Sequence, residues 1–229
     1  MIITIDGPAA SGKSTVSRSL AHDLHFFYIN SGLLFRACAY ILVHNKQVKF
    51  GQLPDLSREK LLALIDFGQL EYFFDGQEQI RYAGENITYD LRADIIAQAA
   101  SVASTNQALR DLILVFERQI AADRNIVVDG RDTGSVVFPQ AEVKIYLTAS
   151  VDVRSKRWQL DQEKRGNKLT FDQARAEITE RDTRDKNREH APLRVSEHAH
   201  MIDSSKKMTK EVVDEIKLLV GAQKFDCVI

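Results

Sequence analysis

The chain has 229 residues, with 31 Lys and Arg against 32 Asp and Glu, a formal net charge of −1, and a hydrophobic fraction of 44%. That length and apolar content allow one large α/β domain or two small ones around a real core, and the balanced charge excludes a uniformly basic nucleic-acid binder. Cys38 and Cys227 are the only cysteines, too few and too far apart for a metal pattern or a disulfide framework, which fits a reducing compartment. The N-terminus lacks a basic stretch followed by an apolar one, and no apolar run reaches the length of a membrane span, so a soluble cytoplasmic protein is expected.

In chain order, residues 1–5 read as a short buried strand. It enters Gly7-Pro8-Ala9-Ala10-Ser11-Gly12-Lys13-Ser14, which fits G-x-x-x-x-G-K-[ST], the phosphate-binding loop pattern. Gly7 and Gly12 let the backbone turn tightly, so that successive N–H groups point at phosphate oxygens. Lys13 adds a charge that reaches the outer phosphates, and Ser14 offers a hydroxyl to a phosphate-bound Mg²⁺. Val16, Leu20 and Leu24 follow at helical spacing, so the loop feeds a helix N-terminus, where the dipole favours anions. A chance match in a glycine-bearing turn would not bring both flanks with it.

Phe26-Phe27-Tyr28-Ile29 reads as a second buried strand, ending at an Asn30-Ser31-Gly32 turn. A helix with Leu34, Cys38, Ile41 and Leu42 on one face follows. Strands alternating with helices predict a parallel sheet with crossover helices, that is, an α/β fold of the phosphate-loop nucleoside triphosphatase type. Residues 46–56 are a connection, and Ser57 caps a short helix with Leu61, Leu64 and Ile65. Residues 70–74, Asp75-Gly76 and residues 79–82 read as a β-hairpin, with Asn86-Ile87-Thr88 as a short third strand. A hairpin does not belong in a βαβ series, so residues 47–89 are read as an insertion in a single domain spanning 1–229.

Helices are predicted over 91–103, with Leu91, Ile95 and Val102, and over 107–122. Strands are predicted at 125–128, 143–147 and 200–203, and a last helix after Thr209 uses Val212, Val213, Ile216 and Leu219. Residues 152–190 are strongly charged and helical, with a capping box at Thr170-Phe171-Asp172-Gln173. The six histidines show no metal spacing, and Trp158 reads as a packing residue rather than a base-stacking one.

Three constellations carry chemistry. Asp129 ends an apolar strand, the edge where doubly wound sheets bind ligands, and could hold Mg²⁺ directly or through water. Arg131 and Asp132 stand side by side in the Gly-bounded loop that follows; they are poor core residues, and the alternative is an ordinary surface turn. Arg181, Arg184 and Arg188 fall on one helix stripe beside Asp185. Such runs are commonly solvated faces laced with ion pairs. Three guanidinium groups on one stripe, however, repel one another unless an anion lies between them, and a phosphate would be that anion. A mobile charged segment over 152–190 is also what a closing lid needs. Ser31 and Arg36 flank the turn after the second strand, where Arg36 could clamp an acceptor phosphate.

Together these residues resemble the bacterial cytidylate kinases, a nucleoside monophosphate kinase family, nearly end to end. The resemblance rests on Gly7-Pro8 through Ser14-Thr15, Ser31-Gly32 with Phe35-Arg36, Gly84-Glu85, Ala99-Ala100-Ser101, Asp129 through Gly134, Val136-Val137-Phe138-Pro139, and Glu180-Arg181-Asp182 through Arg188. It implies ATP and Mg²⁺ as cofactors and CMP or dCMP as the acceptor. It gives Gly7, Pro8, Ala9, Ala10, Ser11, Gly12, Lys13, Ser14 and Thr15 to the ATP phosphates, with Arg157 on the ATP side. Ser31, Arg36 and Arg131 go to the CMP phosphate. Ser101, Arg110, Asp132 and Arg188 surround the cytosine, and Arg181 and Asp185 face the sugar. Lys13, Asp129, Arg131 and Arg181 are the expected catalytic set. Two positions depart from the family: Phe35 stands where a tyrosine is usual, losing a phenol, and Asn30 stands where an aspartate is usual, losing a charge. Both bear on substrate affinity and neither on the reaction class.

Catalysis would be positioning plus charge neutralisation, since an acceptor phosphate needs no strong general base. A kinase for another small acceptor shares most of these features. A GTPase-like switch is disfavoured, because Asn45-Lys46-Gln47-Val48 lacks the Asp of the guanine-reading motif. A monomer without nucleic-acid or membrane partners is expected.

Overall fold

In the computed structural model, residues 1–226 are described, with side chains described as far as residue 222; Cys227 lies outside them. Strand β1 (Ile2–Asp6) leads through the glycine-rich loop into helix α1 (Lys13–Leu24), and β2 (Phe27–Asn30) leads into α2 (Ser31–Tyr40). Then come α3 (Arg58–Leu64), the strands β3 (Leu70–Phe74), β4 (Glu78–Tyr82) and β5 (Glu85–Asn86), and the helices α4 (Asp94–Ala103) and α5 (Gln107–Ala121). The chain continues with β6 (Ile126–Gly130), a π-helical turn at Thr133–Val137, β7 (Val143–Thr148), α6 (Val151–Lys164), α7 (Phe171–Asn187), β8 (His200–Asp203) and α8 (Thr209–Asp226).

The main sheet has the order β2-β6-β1-β7-β8. Strand β1 runs parallel to β7, with Ile3 opposite Val143 and Asp6 opposite Tyr146, and β7 runs parallel to β8. Ile3, Ile5, Ile126, Val127 and Val128 are buried, the near-continuous apolar pattern of a parallel sheet covered by helices on both faces. A second, antiparallel sheet has the order β3-β4-β5.

Contacts divide the chain into two units, Met1–Phe26 with Val127–Ile229, and Phe27–Ile126. In the first, Val16 and Leu20 of α1, Val212, Val213 and Ile216 of α8, and Val143, Ile145 and Leu147 of β7 are buried. In the second, Leu34, Leu61, Ile80, Leu109 and Ile113 are buried. Cys38 is buried there too, and burial pushes its thiol up to about 12, so it stays protonated and unreactive.

Four local expectations shift. Asn30-Ser31-Gly32 is not a turn but the start of α2, because the Asn30 side chain accepts a hydrogen bond from Leu33 N at 3.0 Å and caps the helix. The third strand lies at Glu85–Asn86 rather than at 86–88, because the Thr88 hydroxyl, not a backbone group, accepts from Ile80 N (2.8 Å). Helix α4 starts at Asp94, after an extended Ala93 (ψ 138°) that separates it from the short 3₁₀ turn holding Leu91. The break changes the helical phase, so Ile96 and Ala99 are buried while Ile95 faces solvent. In α8, Val220 is buried and Leu219 only half-buried. The hairpin turn at Asp75-Gly76, the N-cap at Ser57 and the capping box at Thr170 form as the sequence implies.

Candidate active site

Within the first unit, β1 delivers the chain to the glycine-rich loop. A Cβ at Gly7 would sit 2.0 Å from Leu147 O, so no other residue fits where the loop leaves the sheet. Lys13 is buried at the start of α1 and its Nζ donates to Pro8 O at 2.7 Å, with Ser11 Oγ at 3.5 Å. Burial, then the neighbouring Arg131 charge, pushes the ammonium well below its ordinary pKa, with Asp129 opposing. Ser14 Oγ donates to Asp129 Oδ2 at 3.0 Å, so the two residues expected around a cation meet. Arg157, on α6, grips the loop from outside: its Nη1 donates to Ser11 O (3.1 Å) and Ser204 Oγ (3.0 Å), and its Nη2 to Ser204 O (2.8 Å).

Two residues that the sequence reading gave no role hold the same loop. Asp182, on α7, accepts from Ala9 N at 3.1 Å. Its other oxygen accepts from Arg154 Nη1 at 2.5 Å, and Arg154 also donates to Ala9 O and to Ala149 O. Nothing local in a charged run marks a pairing 28 residues apart. Asp6 was missed as well, although a carboxylate ending an apolar strand just before the loop is a visible anomaly. Its Oδ1 accepts from Thr133 N (2.9 Å) and Thr133 Oγ1 (2.8 Å), and its Oδ2 from Gly134 N (2.8 Å).

Beyond β6, Arg131 Nε donates to Asp185 Oδ2 at 2.7 Å. Burial works against both charges. The pair outweighs it: Arg131 moves above its ordinary pKa, and Asp185 moves below its own under the Arg131 and Arg181 charges. Asp132 Oδ1 accepts from Arg188 Nη2 at 3.1 Å, and both side chains are buried. The single arginine stripe expected on α7 does not form. The helix ends at Asn187, so Arg188 lies past it in extended backbone, with Nε donating to Ala191 O, and Arg184 pairs with the exposed Glu180 four residues before it. Arg184 and Arg188 each meet a different carboxylate, Glu180 and Asp132. Arg181 lies on α7, half-buried, with its charge felt by Lys13 and Asp185. Trp158, half-buried, donates its indole N–H to Glu177 at 2.7 Å.

In the second unit, Ser31 opens α2 and is buried, and Ser101 is buried on α4. Arg36 Nη1 donates to Leu91 O at 2.8 Å, and Arg110 Nη1 to Ser104 O at 3.1 Å. The Arg110 guanidinium lies over the Phe35 ring, 5.3 Å from its centroid, so the residue that replaces the usual tyrosine serves as a platform for a predicted base-contacting arginine.

Among the described residues no group of three or more His, Cys, Asp or Glu could hold a metal, and no helix is long and apolar enough to cross a membrane. The family model described as cytidylate kinase matches residues 3–221. A curated cytidylate kinase from Lactobacillus johnsonii is 34% identical over 221 residues, covering 96% of this chain and 94% of that one. Among solved structures, an uncharacterized protein from Eubacterium ventriosum aligns with a TM-score of 0.51 at 12% identity, covering 96% of this chain and 98% of that one, a likeness of fold alone. A phosphate loop with Ser14 bonded to Asp129, an Arg131–Asp132 loop paired with Asp185 and Arg188, and a family match over almost the whole sequence make this chain a member of the cytidylate kinase family.

Proposed function

We propose that this enzyme, which transfers the γ-phosphoryl group of ATP to CMP or dCMP, does so by in-line displacement, with its charged residues acting as positioning and neutralising groups. The observation that carries the reading is the Arg131–Asp132 loop, whose two charges are each held by a partner from the α7 region. The loop from Gly7 to Thr15 binds the ATP phosphates through the Lys13 ammonium and its backbone N–H groups other than at Pro8, which has none, and Ala9, which donates to Asp182, with Arg157 steadying the Ser11 carbonyl of that loop. Ser14 and Asp129 fit Mg²⁺: both present oxygen, and this ion takes one or two protein ligands and fills the rest of its shell with phosphates and water. When bound, Mg²⁺ neutralises charge on the transferring phosphate.

Ser31, Arg36 and Arg131 take the acceptor phosphate, whose oxygen is the nucleophile, so no side chain needs to remove a proton from it. Asp185 keeps Arg131 charged and aimed, and with Arg181 it faces the sugar. Ser101, Arg110, Asp132 and Arg188 surround the base. The chain acts as a cytoplasmic monomer on small molecules, without nucleic-acid or membrane partners; balanced charge and the absence of a cysteine pattern support this.

Residues 152–190 act as a lid that closes over both nucleotides and keeps water from the transferring group. Amide hydrogen exchange in α6 and α7 is therefore expected to slow when a bisubstrate analogue is added. Equal exchange with and without it would make this segment a fixed charged surface.

Cytosine presents an exocyclic amino donor where uracil presents a carbonyl acceptor, so a carboxylate suits the first and repels the second. Asp132→Asn supplies both a donor and an acceptor, and the ratio of kcat/KM for CMP over UMP is expected to shrink by about 1–3 kcal/mol, roughly five- to 150-fold. The measurement is ATP-dependent product formation with a panel of CMP, dCMP, UMP, AMP and shikimate. An unchanged CMP-to-UMP ratio in a folded variant would remove Asp132 from base recognition.

A further inference from the structure

We propose that Asp6 is a positioning residue for the acceptor, fixing the Arg131–Asp132 loop through the first two residues of the π-helical turn that follows it. The inference rests on the assignment of Arg131 and Asp132 to CMP. Asp6 is the last residue of β1, and only 2% of it is exposed. Its two oxygens take three donors: Thr133 N, Thr133 Oγ1 and Gly134 N, all within 2.9 Å. That turn closes back on the loop, since Val136 N and Val137 N both donate to Asp132 O and Phe138 N donates to Thr133 O. The Asp132 carbonyl is thereby held from one side by the turn, while the turn's leading amides are held by a rigid buried strand. Loop residues that must orient two charged side chains gain their precision from such a support.

A carboxylate is an expensive choice for this place if capping were the whole task. Burial raises Asp6 to about 6, against the pull of its three donors, and the Asp132 charge adds to the rise. The neighbouring charge that acts on it most is Asp132, on the following loop, and Tyr146 lies opposite it on β7. The sign is fixed by the raised value. Asp6's stabilising contribution is fully present below the ordinary carboxylate pKa of 3.8 and is lost as pH rises through about 6. The ionised form at neutral pH therefore works against stability, and what it provides is the acceptor for two backbone N–H groups that a neutral acid serves less well.

The test uses the full-length enzyme with Asp6→Asn, Thr133→Val and Asp132→Asn made in parallel. An asparagine keeps one acceptor oxygen but turns an N–H₂ toward Gly134 N. It is expected to lower kcat/KM for CMP about tenfold or more and to shrink the CMP-to-UMP ratio, with the equilibrium Kd for ATP within about threefold of wild type. Thr133→Val removes one donor and keeps the carboxylate, and should shift the same ratio about threefold. In the wild type, kcat/KM for CMP should fall as pH drops below about 6. The phosphate of CMP titrates nearby with the same sign, so the diagnostic is the difference between wild-type and Asp6→Asn profiles on one substrate: the variant lacks the enzyme's share of the decline. A fold-supporting role alone would not move that profile or the base ratio.

Wild-type kcat/KM and CMP-to-UMP ratio in folded Asp6→Asn would overturn the proposal, as would an equal loss of ATP affinity. Should Asp6→Asn fail to fold, Thr133→Val decides: a shifted ratio with unchanged ATP affinity supports the proposal, and an unchanged ratio overturns it. If Asp132→Asn moves the ratio and Asp6→Asn does not, the support role alone is wrong. If neither moves it, the acceptor assignment fails and the proposal falls with it.

Discussion

Lys13→Ala is expected to lower turnover by about two to three orders of magnitude while the fold persists. The lysine's direct partners are the Pro8 carbonyl and, at 3.5 Å, the Ser11 hydroxyl, neither of which is an anion. Burial and the charges of Arg131 and Arg181 disfavour its ammonium form and outweigh the opposing carboxylates of Asp129 and Asp185. A cation held under those conditions contributes little to folding, so its removal should leave the melting temperature unchanged or slightly raised. What it offers is a charge that turns from the loop's own carbonyl to a polyphosphate and strengthens its contact as the γ-phosphoryl group departs. The checks are CDP formation from ATP and CMP, with thermal unfolding alongside. A variant within a few-fold of wild type would take the lysine out of the mechanism, and a large drop in stability would make it a structural residue instead.

The parts of this protein that were legible in the sequence are those in which local pattern and function coincide. The phosphate loop needs its glycines at fixed positions because Leu147 O leaves no room for a Cβ at Gly7, and that need is written into the motif. The buried strands read correctly because a sheet covered on both faces requires continuous apolar runs. The face of α4 was misread because one extended residue, Ala93, resets the helical phase, and periodicity counted across Leu91 cannot sense the break. The arginine stripe on α7 was misread for a related reason: Arg188 continues the spacing of Arg181 and Arg184 after the helix has ended. The partners of the groups that support the candidate site are not legible in the sequence, although Asp6 itself stands out as a carboxylate ending an apolar strand. Asp6 meets Thr133, and Arg154 meets Asp182, only through the fold, and their partners lie far apart in the chain.

The last of these supports carries the second large effect. Arg154→Ala is expected to cost about 3–5 kcal/mol of stability, because it leaves the Asp182 carboxylate buried without its cation. The side chains of the pair are 6% and 9% exposed, so solvent screens them little. For a chain of this size that corresponds to a fall of about 6–20 °C in melting temperature. Arg154→Lys keeps the charge but loses the fork that reaches Asp182, Ala9 O and Ala149 O together, so it should fall between the two. Stability alone does not test what the pair does for the loop, since any buried ion pair would respond in this way. The apolar double replacement Arg154→Met with Asp182→Leu separates the two roles. Removing both charges avoids the unpaired group, so most of the lost stability should return. The Ala9 amide, however, still lacks the carboxylate that holds it at 3.1 Å, and the glycine-rich loop is left less constrained. ATP affinity and turnover should therefore remain depressed in the double variant while its melting temperature recovers. If activity returns together with stability, the Arg154–Asp182 pair braces the fold and has no separate part in shaping the phosphate loop.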